Sequence, residues 1–92
     1  MTLKVGPVTY NVFAGRPDDG DAMGQCLYKS ARIAINPDYQ PDHQRSTLFH
    51  EAIHAVDQVY GIGLTEAQVR AIEVGVLALI DDNPALLAFT GV

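Results

Sequence analysis

The sequence predicts an α+β fold, in which a small antiparallel or mixed sheet from residues 1–40 packs on a helical hairpin with a short last helix, residues 41–92. Two observations carry this reading. Segments rich in Val, Thr, Tyr and Phe lie before residue 40, and after it the apolar residues take a helical period. Strands first and helices afterwards is the order of an α+β domain rather than of alternating βαβ units. The length of 92 residues suits one domain around one small core.

In chain order, Leu3 to Phe13 reads as a strand or strand pair interrupted at Gly6-Pro7. Arg16 to Gly20 is turn chemistry. Gln25 to Lys29 and Ala31 to Ile35 read as two further short strands, the second stopped by Asn36-Pro37. From Leu48 to Tyr60 the apolar side chains fall in one arc about 160° wide at 100° per residue, which predicts an amphipathic helix over 42–59. Tyr60 to Leu64 breaks it. Thr65 with Gln68 forms a capping box, and Leu64 with Val69 a hydrophobic staple, opening a second helix over 66–81. Asp82-Asn83-Pro84 then caps a short last helix over Ala85 to Phe89.

Composition removes several function classes. With 48% apolar and 18% charged residues the chain is neither disordered nor fibrous. The net charge of −5 has the wrong sign for a phosphate backbone, so no nucleic-acid partner is expected. The longest apolar run, Val74 to Ile80, is far short of a membrane span, so no membrane partner is expected either. Cys26 is the single cysteine and reads as a packed thiol without a disulfide. Met1-Thr2-Leu3-Lys4 lacks a basic and then apolar leader pattern, and the expected compartment is the cytoplasm.

The chemistry concentrates in His50-Glu51-Ala52-Ile53-His54. Histidines at i and i+4 lie one turn apart on one helix face, where both imidazoles reach a single zinc ion, and Glu51 points to the adjoining sector as the general base. Three His in the whole chain make the pattern improbable by chance, roughly 0.003 matches in a shuffled sequence. On the helical wheel the pair lies at about 200° and 240°, bordering the apolar arc without entering it, unlike ordinary core histidines.

A catalytic zinc needs a third protein ligand. Folding the hairpin back about residue 62 brings 50 level with 74, so the ligand is expected from 70–74, and Glu73 is the one acid there. Glu73 also sits on the apolar side of its helix, where a carboxylate requires a metal or a partner. Glu66 is the alternative, on the same face but roughly 9 Å along the axis from the histidine level, with a helix-dipole role of its own. Asp57, three residues after His54, suits either an acceptor for a ligand imidazole or a solvated acid. Tyr28, Tyr39, Tyr60, His43 and Arg45 are the available oxyanion donors, but packing explains the tyrosines better and a solvated first helical turn explains His43 and Arg45 better, so none is assigned.

With these residues in place, the chain resembles the gluzincin branch of zinc metallopeptidases, whose His-Glu-x-x-His helix is followed by a glutamate on a later helix. Residues 24–88 look most like the very small gluzincin-type proteins carried by phages and prophages. Ile33-Ala34-Ile35-Asn36, Gln44, Thr47-Leu48, the zinc motif, Asp57, Tyr60-Gly61, Leu64-Thr65-Glu66 and Asp82-Asn83-Pro84 carry the resemblance. It implies a zincin-like helical hairpin, His50 and His54 as zinc ligands, Glu51 as catalytic base, and a peptide lying along the strand that ends at Asn36. The expected function is a zinc metalloendopeptidase acting on a peptide or protein, such as a regulatory or host protein. The alternatives are a non-catalytic binding module stapled by zinc, and an interaction domain without metal in which Arg70 or a backbone donor satisfies Glu73. Nothing in the sequence specifies an oligomeric state.

Overall fold

A computed structural model describes all residues, Met1–Val92. The fold is α+β. Strands β1 (Thr2–Val5), β2 (Val8–Ala14), β3 (Gly24–Leu27) and β4 (Arg32–Ile35) precede helices α1 (Pro41–Tyr60) and α2 (Glu66–Asp82). The sheet order is β1-β2-β4-β3. β1 and β2 form an antiparallel hairpin, with Val5 opposite Val8 across Gly6-Pro7. β2 runs parallel to β4, with Val12 opposite Ile33, and β3 is antiparallel to β4, making the sheet mixed.

This order corrects one expectation. The strand Arg32–Ile35 has neighbours on both sides, so it is no edge, and the edge beside α1 is β3. Strand pairing is long-range, and the composition of the Arg32–Ile35 strand carries no mark of which neighbours it takes. β3 is also shorter than Gln25 to Lys29, because the chain leaves it through a 3-10 turn at Tyr28–Ser30 and a left-handed Ala31. At the other end, the short last helix is only a 3-10 turn, Leu86–Ala88.

The core lies between one face of the sheet and α1. Val5, Tyr10, Ile33, Ile35 and Ala55 form it, with Leu3, Val8, Val12, Leu48 and Val59 packed at its margin. The buried side of α1 is Thr47, Glu51 and Ala55, so the helix turns one flank of its apolar arc to the sheet and leaves Val56 and Tyr60 exposed. The opposite face of the sheet is open, and there the Arg32 guanidinium stacks over the Phe13 ring at 4.2 Å.

α2 packs on α1 and makes no comparable contact with the sheet. The layers run sheet, α1, α2. The Cα radius of gyration is 13.8 Å, against about 12 Å for a compact chain of this length, in keeping with an outermost helix standing off the body. The expected capping box at Thr65 and Gln68 is present in both directions. Asp57 has a third role beside the two considered: its Oδ1 accepts N–H bonds from Gly63 (2.6 Å) and Leu64 (3.2 Å), clamping the connector between the helices. No helix is long and apolar enough to cross a membrane.

Candidate metal centre

The two histidines leave α1 on the side facing the start of α2. His50 Nε2 lies 2.7 Å from Glu66 Oε1, and His54 Nε2 lies 3.0 Å from Glu66 Oε2. One atom from each of His50, His54 and Glu66 falls within 4.8 Å of the others, so the group could hold a metal ion. Glu66 is the acid that meets both inner nitrogens. The axial separation that counted against it in the sequence is closed by the reach of the side chains, since a glutamate and an imidazole together span most of two helical turns.

Glu73 lies on the other side of the same ring. Its Oε1 is 2.9 Å from His50 Nδ1, and its side chain is largely buried. A neutral imidazole can donate from only one nitrogen. With a proton on Nδ1 held by Glu73, the Nε2 lone pair is turned toward Glu66 and is available to a cation. The two acids identified from the sequence therefore occupy different positions around His50, one inner and one outer.

Glu51 is only 8% exposed. Burial pushes its carboxyl above the ordinary glutamate range, while the nearby His50 and His54 and the backbone N–H of Cys26 pull it down. It packs beside Gly24 of β3. A Cβ on Gly24 would stand 2.5 Å from Thr47 Cγ2, 2.9 Å from the Ala34 carbonyl oxygen and 3.3 Å from Glu51 Cγ, so only glycine lets the strand lie this near the helix.

These groups open into one cleft of about 900 Å³, whose walls include Gly24, Gln25 and Cys26 of β3, Tyr39, and Arg70 and Val74 of α2. Its rim is the loop between β2 and β3. Asn36, 1% exposed, donates to the carbonyls of Gly20 (3.2 Å) and Ala22 (3.0 Å) and accepts the Asp38 N–H (3.0 Å). The Tyr39 hydroxyl donates to the Asp21 carbonyl and adds a second tie.

Of the oxyanion donors considered, only Tyr39 lines the cleft. Arg45 is engaged by Asp81 in a two-bonded pair, 3.0 and 2.8 Å, away from the site. Tyr60 covers the Gly6 turn, and Tyr28 stands exposed. Arg70, considered in the sequence only as a partner for Glu73, is the cleft's single arginine or lysine and stands beside Glu66 instead. The signal was available, because Arg70 follows Glu66 at i+4 and so shares its helix face. Its Nε lies 3.8 Å from Glu66 Oε1.

Compared with protein-family models, curated proteins and solved structures, the chain matches none.

Proposed function

We propose that this protein is a zinc-dependent metallopeptidase in which His50, His54 and Glu66 hold the ion and Glu51 is the general base. The carrying observation is the convergence of two imidazole Nε2 atoms on one carboxylate, beside a buried glutamate, in an open cleft. Two imidazoles and a carboxylate are the donor set of catalytic zinc. One nitrogen of each imidazole and one oxygen of Glu66 lie within 4.8 Å of one another, against the roughly 3.3 Å between ligand atoms of a tetrahedral ion with bonds of about 2.0–2.1 Å, a gap that side-chain adjustment can close.

A bound zinc ion supplies the polarisation of a water and of a peptide carbonyl. The chain's own residues supply the rest. Glu51 takes the proton of the attacking water on its carboxylate and passes it to the leaving amine, a role suited to a carboxyl that burial raises above the ordinary glutamate range. Glu73 keeps the His50 ring in one tautomer and one orientation. β3, paired on one side only, offers its free edge to an extended peptide or protein substrate running along the cleft.

The second reading is a binding module stapled by zinc, without catalysis. It is favoured by α2, whose main packing is against α1 and whose first turn is tied to α1 by Glu66. One experiment separates the two. Wild type and Glu51→Gln are loaded with zinc, their metal content is measured by elemental analysis, and cleavage of an unfolded protein such as reduced casein is followed with and without chelator. The peptidase reading expects one zinc in each and chelator-sensitive cleavage by wild type only. Cleavage that survives in Glu51→Gln refutes the mechanism, and zinc binding with no cleavage by either protein leaves the staple.

A further inference from the structure

Four arginines are present, and three of them are engaged. Arg16 pairs with Asp38 at 2.8 Å, Arg32 stacks over Phe13 at 4.2 Å, and Arg45 is held by Asp81 through two hydrogen bonds. Arg70 differs. Its side chain is 74% exposed, and its one ionic neighbour is Glu66, met only through Nε at 3.8 Å. A guanidinium offers five N–H donors in a flat fork, and the four on its terminal nitrogens are unclaimed here. They belong to the single arginine or lysine that lines the cleft.

The position of Arg70 matters as much as its freedom. Glu66 Oε1 stands between two groups, His50 Nε2 at 2.7 Å and Arg70 Nε at 3.8 Å, so the guanidinium lies next to the metal position. Once Glu66 is committed to a cation, its charge no longer balances Arg70. Two neutral imidazoles and one carboxylate leave a divalent ion with uncancelled positive charge, and Arg70 adds to it. The other acids of the cleft do not offset this charge at close range. Glu73 is held on His50 Nδ1, Glu51 is buried, and Glu66 is the one acid within ion-pair distance of Arg70.

We infer that Arg70 recognises a carboxylate of the substrate, so that the cleft selects peptides with a negative charge close to the scissile bond. The inference rests on the zinc-peptidase reading above. Arg70 stands on the α2 wall, and β3, whose free edge would carry the peptide, supplies another wall of the same cleft. The guanidinium fork matches a carboxylate with two parallel N–H···O bonds, which a lysine cannot reproduce. Two extended residues span about 7 Å, so a carboxylate that reaches Arg70 belongs within about two residues of the bond being cut. An Asp or Glu side chain supplies it, or the C-terminal carboxylate of a short peptide.

Binding of peptides to zinc-loaded Glu51→Gln tests this without turnover. Three sets of short alanine–serine peptides carrying an uncharged fluorophore are titrated by anisotropy. One set is neutral with both ends blocked, one is blocked with a single Glu moved through the positions, and one is neutral with a free C-terminus at several lengths. At least one carboxylate-bearing set is expected to bind about 10-fold or more tighter than the neutral set. In Glu51→Gln/Arg70→Gln, which loses no ligand atom and should still bind zinc, the difference should shrink to within about 2-fold, and Arg70→Lys should recover only part of it. Preference for the Glu set assigns a side-chain carboxylate, and preference for the free ends assigns the chain terminus. Equal or undetectable binding of all three sets overturns the inference and leaves Arg70 as a helix partner of Glu66. A preference that survives Arg70→Gln overturns it too, since the ion alone then draws the carboxylate. The peptidase reading fails separately: zinc-loaded wild type that leaves casein intact, with an Arg70-dependent preference still present in the variants, keeps the carboxylate site without the catalysis. Protein that takes up no zinc loses both.

Discussion

The Nδ1 of His50 and the Oε1 of Glu73 lie 2.9 Å apart, and this bond leaves the opposite nitrogen of the ring facing Glu66 at 2.7 Å. Were a cation to take the Nε2 lone pair, this buried carboxylate on the outer nitrogen would hold the ring proton on Nδ1.

Metal affinity should therefore separate the two acids. Glu73→Ala is expected to keep the site but weaken zinc binding by about 10- to 100-fold, the usual cost of losing a partner of a ligating histidine. Glu66→Ala removes a ligand and should weaken it further. Competition against a chromogenic chelator reads both, and wild-type affinity in Glu73→Ala would refute the orienting role.

Cys26 should be a slow nucleophile at neutral pH. Burial, helped by the nearby Glu51 carboxylate, pushes its thiol up to about 11 from 9.0. The rate of alkylation by iodoacetamide should climb through that higher value. The raised value also means that the folded chain holds the proton more tightly than the unfolded one. The associated stability is complete below pH 9.0 and is lost as the pH rises through about 11. Denaturant midpoints of wild type and Cys26→Ala across that window check the sign, and a thiol that titrates near 8 contradicts the packing.

Gly24→Ala should destabilise the fold by about 1–3 kcal/mol, the range for forcing an extra methyl into a packed contact. The Ala34 carbonyl that its Cβ would meet at 2.9 Å belongs to the paired strand and cannot swing aside. Urea unfolding measures the loss. If the fold yields by moving β3 off α1, Glu51 becomes more exposed, and the pH dependence of any activity shifts with it.

Asn36→Ala should free the rim of the cleft. Three hydrogen bonds depend on this buried side chain, two of them to carbonyls of the loop before β3. The expected cost is about 2–3 kcal/mol. Limited proteolysis should show new cleavage between residues 16 and 23 well before the helices are cut, and a digestion pattern identical to wild type would show that the loop is held by other means.

Local chemistry was legible in the sequence and long-range pairing was not. The i, i+4 histidines define a helix face wherever that helix goes, and the capping box at Thr65 and Gln68 is complete within four residues. Both are set by neighbours in the chain. The interior place of Arg32–Ile35 depends instead on β2 arriving parallel to it from about twenty residues earlier, and nothing in its own composition distinguishes an edge from a centre. Glu66 and Glu73 share a helix face, so periodicity cannot rank them. Their ranking comes from side-chain reach across the hairpin and from the Asp57 clamp on its connector. Gly24 was likewise silent, because a glycine at a strand start has many explanations until the helix opposite it is known.

The two histidines belong to the middle layer of the molecule and Glu66 to the outermost one, and this division makes the site a gauge of local opening. When α2 lifts from α1 the ligand set ceases to exist, so an ion held there opposes only those fluctuations that separate the two helices. Its binding free energy appears as protection of α2 amides against hydrogen exchange and leaves the hairpin of β1 and β2 exchanging at its own rate.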